Sequence, residues 1–132
     1  MKSMKSKIRE VNGCKIVELS GFIDYETLPR LRESLESIYK ENEASRVVIN
    51  MRGLNFVGSS GISTFVKSLG VFNRLRMKPS YCGLKSEFQK MFKLFEDRGT
   101  FEILENEDDA KQAALSRYQE WQKRTIRSSA TH

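Results

Sequence analysis

Arg46-Val47-Val48-Ile49-Asn50-Met51-Arg52-Gly53-Leu54-Asn55-Phe56-Val57-Gly58-Ser59-Ser60-Gly61-Ile62 is the stretch from which the fold can be read. Val47 to Met51 is a short apolar run rich in β-branched residues, the pattern of a strand buried on both faces of a sheet. Arg52 to Val57 is expected to turn the corner, with Gly53 available for a backbone conformation that other residues avoid. After Gly58-Ser59-Ser60-Gly61 the period changes. Ile62, Phe65, Val66, Leu69, Phe72 and Leu75 fall on one stripe of a helix reaching toward Arg76. Ser59 or Ser60 then sits at or next to the helix N-cap, where a hydroxyl satisfies an orphan backbone N–H. A hydroxyl-bearing loop at the carboxyl end of a central strand is where open α/β sheets present functional groups.

On the N-terminal side, Ile8 to Val11 and Lys15 to Leu19 flank Asn12-Gly13, a strong hairpin signal. The second strand is expected to end at Ser20-Gly21. A helix follows from near Thr27, with Pro29 in its first turn and Leu28, Leu31, Leu35, Ile38 and Tyr39 on its buried face. On the C-terminal side, Met77-Lys78-Pro79 stops the helix and Ser80 to Leu84 reads as a short strand. Ser86 and Gln89 have capping-box spacing ahead of a helix carrying Phe88, Met91, Phe92 and Phe95, which Gly99 ends. Phe101 to Leu104 reads as a last strand, at an edge. Asn106 can cap a final helix with Glu107, Asp108 and Asp109 in its first turn and Ala110, Ala113, Ala114, Tyr118 and Trp121 on its face. The order is β-β-α-β-α-β-α-β-α, a mixed sheet with amphipathic helices in the α/β class. Residues 1–122 are expected to form one domain and residues 123–132 a disordered basic tail.

The chain has 132 residues, 39% of them hydrophobic and 10% aromatic, which suits one ordinary globular domain. No apolar run approaches the roughly 20 residues that span a bilayer. The N-terminus lacks the apolar core of a signal peptide, so a cytoplasmic location is expected. Cys14 and Cys82 stand far apart without a Cys-x-x-Cys pattern and are expected to be buried free thiols. The only histidine is His132, the last residue, so a Ser-His-Asp triad or a histidine-based zinc site is not expected. The net charge of +6 is spread over a basic arm (Lys2, Lys5, Lys7, Arg9) and a basic end (Arg117, Lys123, Arg124, Arg127). Basic residues do not interleave with aromatics along a strand, so direct nucleic-acid binding is not expected.

Three separated motifs carry a resemblance. Leu19-Ser20-Gly21-Phe22-Ile23-Asp24, Val47-Val48-Ile49-Asn50-Met51 and Ser59-Ser60-Gly61-Ile62 resemble the STAS domain of anti-sigma factor antagonists over about residues 8–118. The resemblance implies a switch rather than an enzyme, without a cofactor or metal. Ser59 would be phosphorylated by a partner that is both serine kinase and anti-sigma factor, and a serine phosphatase would reverse it. The unphosphorylated form would sequester that kinase and so regulate transcription. Asp24, Gly58, Ser59, Ser60, Gly61 and Ile62 are the partner-binding residues it implies, with Gly61 packed closely. The family's aspartates before the two serines and in the strand are replaced by Gly58 and Asn50, which is expected to change the electrostatics around Ser59. Ser59 also reads as a plain helix N-cap, and Asp24 as a capping acid. A non-switching STAS subunit of a stress-signalling or lipid-transport complex is the alternative. An enzyme or nucleotide-binding protein is a third class, but no Walker-type loop is present and no base adjoins either serine.

Overall fold

Asn12 and Gly13 both take left-handed backbone conformations, with φ of 51° and 78°, and join two antiparallel strands with Val11 opposite Cys14. That is the two-residue hairpin which Asn-Gly favours. The computed structural model describes residues 4–24, 26–41, 46–56, 58–70, 79–95 and 102–130, with only the backbone at 39, 58–60, 95 and 125–130. The elements are β1 (Met4–Val11), β2 (Cys14–Ile23), α1 (Leu28–Glu41), β3 (Arg46–Phe56), α2 (Gly58–Gly70), β4 (Ser80–Cys82), α3 (Ser86–Phe95), β5 (Ile103–Leu104) and α4 (Glu107–Ala130). They follow the expected order. The sheet runs β1-β2-β3-β4-β5, with β1 antiparallel to β2 and the remaining pairs parallel. β5 is an edge, as expected.

Period-2 alternation divides the sheet's side chains between two layers. Val17, Leu19, Val47, Ile49, Met51 and Tyr81 meet Leu28, Leu31, Leu35 and Ile38 of α1, Ile62, Phe65, Val66 and Leu69 of α2, and Phe92 of α3 in one core. Phe65 meets Phe56 in a tilted contact and Phe92 edge-on there, at ring separations of 5.2 and 6.4 Å. Phe88 and Met91 pack partly buried against this core. On the other face Cys14, Ile16, Val48 and Cys82 meet Ala110 and Ala114. Two alanines let α4 lie close to the strands. Both cysteines are free and buried. Burial raises the pKa of both thiols, that of Cys82 to about 11, so they stay protonated at neutral pH.

Several boundaries differ from expectation for tertiary reasons. β1 begins at Met4 rather than Ile8, because pairing with β2 extends to Met4–Gly21. β2 does not stop at Ser20-Gly21, and β3 does not turn at Arg52; both continue, paired, to Ile23–Phe56. A bulge lies between Glu18 and Ser20, where Met51 and Arg52 of β3 stand against Leu19 alone. Gly53 is needed for space and not for an unusual φ: a Cβ there would lie 2.7 Å from Ser20 Cβ and 3.1 Å from the Leu19 carbonyl oxygen. Ser86 is the first helical residue of α3 rather than its cap, and Gln89 donates its side-chain amide to the Leu84 carbonyl (2.9 Å). Asn106 does cap α4, accepting from the Asp109 amide at 2.9 Å. α4 continues to Ala130, so its helical backbone includes residues expected to be a disordered tail. Phe72, Leu75, Met77, Lys78, Gly99 and Phe101 lie outside the described residues, as do the side chains of Tyr39 and Phe95.

Candidate functional site

β2 and β3 are parallel, so their carboxyl ends lie at the same edge of the sheet, and each feeds a helix there. Two helix N-termini, those of α1 and α2, therefore share one corner of the molecule. Each presents backbone N–H groups without intrahelical partners and the positive end of a helix dipole.

At the first of these, Asp24 is a capping acid. Its Oδ1 accepts from the backbone N–H of Glu26 (2.9 Å) and of Thr27 (3.0 Å). The Thr27 hydroxyl in turn accepts from the Asp24 amide (3.0 Å) and donates to the Phe22 carbonyl (2.8 Å). This reciprocal pair fixes how the chain leaves β2 and enters α1.

At the second, α2 begins at Gly58, so Ser59 and Ser60 occupy its first turn rather than its cap. Their side chains lie outside the described residues. Gly61 is buried, and a Cβ on it would come within 3.0 Å of the Ile23 carbonyl oxygen. The bare Cα lets the first turn of α2 seat directly on the end of β2, one residue before Asp24. Ile62 is 2% exposed and belongs to the core. Its contribution to a surface is to hold the turn in place. The structure thus brings Asp24 and residues 58–61 to one corner, with Ile62 beneath.

Asn50 belongs elsewhere. Its Nδ2 donates to Glu107 Oε1 (3.0 Å) at the start of α4, and its Oδ1 accepts the Arg52 amide (2.9 Å). Glu107 also pairs with Arg9, which bonds Glu18 through Nε at 2.8 Å. The Glu18 bond, with the nearby charges of Glu107 and Glu18, pushes the Arg9 guanidinium above its ordinary pKa against the opposing effect of burial. Six residues of strand, roughly 20 Å at a strand's rise, separate Asn50 from the end of β3. Asn50 therefore has a local role at the start of α4. Sequence reasoning missed this network because Glu107 is distant in the chain; only the Lys5-Lys7-Arg9 alternation hinted at a charged strand face.

A position that must donate and accept at once calls for a carboxamide. Asn50→Asp keeps the acceptor but sets a carboxylate against Glu107. It is expected to cost about 1–3 kcal/mol at pH 7. Like charges raise the folded-state pKa of the carboxylate pair above its unfolded value. The deficit should then be full at neutral pH and shrink as the pair protonates, so variant and parent converge as the pH falls toward 4. Urea titrations of both proteins across that range check this; a constant gap would show that geometry, not charge, is responsible.

Among the described residues no three His, Cys, Asp or Glu side chains are grouped to hold a metal ion, and no helix is long and apolar enough to cross a membrane. The profile of the STAS domain family matches residues 5–110. An anti-sigma-B factor antagonist of Listeria monocytogenes serovar 1/2a is 31% identical over 103 residues, covering 78% of this chain and 86% of its own length. An anti-sigma factor antagonist from Mycobacterium paratuberculosis superimposes with a TM-score of 0.68 at 20% identity, over 85% of this chain and 94% of that one. RsbS of Moorella thermoacetica does so at 0.65 and 14% identity, over 85% and 96%. At those identities the two structures speak to the fold alone.

Proposed function

This chain belongs to the STAS domain family, and on that premise we propose that it is an anti-sigma factor antagonist whose binding is switched by phosphorylation of Ser59. Its partner is an anti-sigma factor that is also the serine kinase, and a serine phosphatase restores the binding form. The unphosphorylated protein sequesters the kinase and so regulates transcription, acting by binding and not as an enzyme. Asp24 and residues Gly58, Ser59 and Ser60 form the contact surface, which Gly61 and Ile62 support from beneath.

The observation that carries this reading is the seating of α2's first turn on the end of β2 at Gly61 and Ile23. It supports a place for residue 59 near the capped start of α1, at a helix N-terminus that tolerates added negative charge. A phosphate there is favourable to the helix by roughly 0.3–1 kcal/mol. The fold survives modification, and the effect falls on binding. Phosphopeptide mapping of protein from its native cells tests the assignment directly. Phosphate on Ser60 or Ser63 instead would move the switch.

Gly58 favours one competing reading, a STAS subunit of a stress-signalling or lipid-transport complex whose binding is not gated by phosphate. An aspartate at this first helical position would accept a backbone N–H and complement the dipole. Gly58→Asp is therefore expected to speed phosphorylation by the cognate kinase several-fold, with stability changed by less than about 1 kcal/mol. A phosphorylation time course paired with thermal melts measures both. No phosphate on either protein, with partner binding intact, would favour the ungated subunit.

A further inference from the structure

We propose that Phe22 and Lys85 form a second contact for the kinase, an aromatic anchor and its charged rim, on the sheet face opposite α1 and α2. This rests on the partner-binding reading above and carries its surface around the carboxyl edge of the sheet.

Alternation along β2 sends Cys14, Ile16, Ser20 and Phe22 to the face on which α4 lies. Cys14 and Ile16 are buried there with Ala110 and Ala114. α4 starts beside Asn50, through Glu107, and runs back toward the beginning of β3, where the Tyr118 ring lies 5.9 Å from the Arg46 guanidinium. It therefore leaves the end of the sheet beyond Asn50 uncovered, and Ser20, Phe22, Arg52 and Gly53 are all exposed. Ser20, Arg52 and Gly53 suit water. Phe22, 43% exposed, leaves apolar ring surface in it.

A lone exposed aromatic is common on proteins. Here three further observations bear on it. The Phe22 backbone pairs with Asn55 of β3 and its carbonyl accepts from the Thr27 hydroxyl (2.8 Å), so little freedom remains to be lost on binding. The same hydroxyl accepts from the Asp24 amide, two residues on, so the ring is continuous with the contact corner proposed above. Asn55, its partner in register, presents its side chain on the same face and accepts from the Lys85 ammonium at 2.7 Å. Lys85, just ahead of α3, is half-buried and has no carboxylate partner among the described residues. Ring, amide and ammonium thus lie side by side across the end of the sheet.

A partner that fits this strip has an apolar recess for the ring and a carboxylate at the rim for the ammonium. Rigidly held aromatics are what interface centres use, whereas an exposed ion pair adds little affinity and mainly orients. A phenylalanine side chain offers about 150–250 Å², far below the roughly 800 Å² per side of a stable interface. The strip is too small to hold a partner of its own. Its continuity with Asp24 supplies the remaining area, so its occupant is the protein that docks at that corner.

The test is calorimetry of the full chain with the purified anti-sigma kinase, comparing the parent with Phe22→Ser, Phe22→Leu, Lys85→Glu and Ser59→Asp. Phe22→Ser should weaken binding about ten-fold or more and Phe22→Leu by less than about three-fold. Lys85→Glu should weaken it several-fold, with the loss shrinking as salt rises. Unchanged affinity in Phe22→Ser or in Lys85→Glu would overturn the proposal. So would a urea midpoint that falls in Phe22→Ser, since the ring would then pack within its own chain. Sedimentation of the chain alone as a dimer that Phe22→Ser dissociates would give the ring to a second copy and overturn it too. The Ser59 switch is read separately. Loss in Ser59→Asp with none in Phe22→Ser ends this contact and keeps the switch; the reverse keeps this contact and ends the switch.

Discussion

Ser59→Asp is expected to weaken binding to the anti-sigma kinase by about 30-fold or more, while Ser59→Ala binds like the parent protein and takes no phosphate. A phosphate adds about −1.5 to −2 charges to a contact surface shaped for a neutral hydroxyl. Leaving such a charge desolvated and unmatched costs on the order of 2–5 kcal/mol, or roughly 30-fold to several thousand-fold in affinity. Aspartate is smaller and carries less charge, so it should fall at the lower end. Because α2 begins at Gly58, either substitution sits in the first turn of a helix that a carboxylate does not destabilise. Altered binding then cannot be assigned to unfolding. Calorimetry with the purified kinase, alongside urea melts of all three proteins, measures both quantities. Equal affinities for the parent, alanine and aspartate proteins would end the switch hypothesis while leaving the STAS assignment intact.

Phe65→Ala should be the most damaging single change to the fold itself. Phe65 is fully buried, and its ring packs in tilted and edge-on contacts with Phe56 of β3 and Phe92 of α3. It therefore ties α2 to the sheet and to the neighbouring helix at once. Truncating such a side chain costs about 3–5 kcal/mol through lost transfer energy and a residual cavity. Against a total stability of about 5–15 kcal/mol for a domain, that is a large fraction. With a urea dependence of about 1–3 kcal/mol per molar, the midpoint should fall by roughly 2 M. A shift under about 0.5 M would mean that Phe56 and Phe92 close over the gap and that α2 is held mainly by Leu69, Val66 and Ile62. The same experiment bears on function. A loosened α2 presents residue 59 less rigidly, so partner binding should fall together with stability in this variant. In Ser59→Asp binding falls alone.

The sequence by itself determined the order of elements and nearly all of the core. Two alternating runs around Asn12-Gly13, one β-branched run at Val47 to Met51 and three amphipathic stripes suffice, because apolar periodicity dictates which face of each element must leave water. That Ser59 and Ser60 fall near the start of a helix at the sheet's carboxyl edge was legible for the same reason, although the structure puts them in the helix's first turn. Asn106 as a cap and the two buried cysteines were legible too, since those roles depend on local chemistry.

What only the tertiary structure decided involves residues far apart in the chain. Gly53 and Gly61 are glycines because Ser20 and the Ile23 carbonyl occupy the space where a Cβ would go. Neither neighbour is visible from the local sequence. The lengths of β2 and β3 follow from their mutual pairing out to Ile23 and Phe56, which a Gly-containing segment does not announce. Asn50 donates to Glu107 at the N-terminus of α4, a partner far away in the chain. Where α4 lies against the sheet also decides which strand residues stay bare, and so leaves Lys5, Lys7 and Arg52 exposed. Periodicity tells each element which face to bury; contacts between distant elements decide which charges and backbone atoms meet.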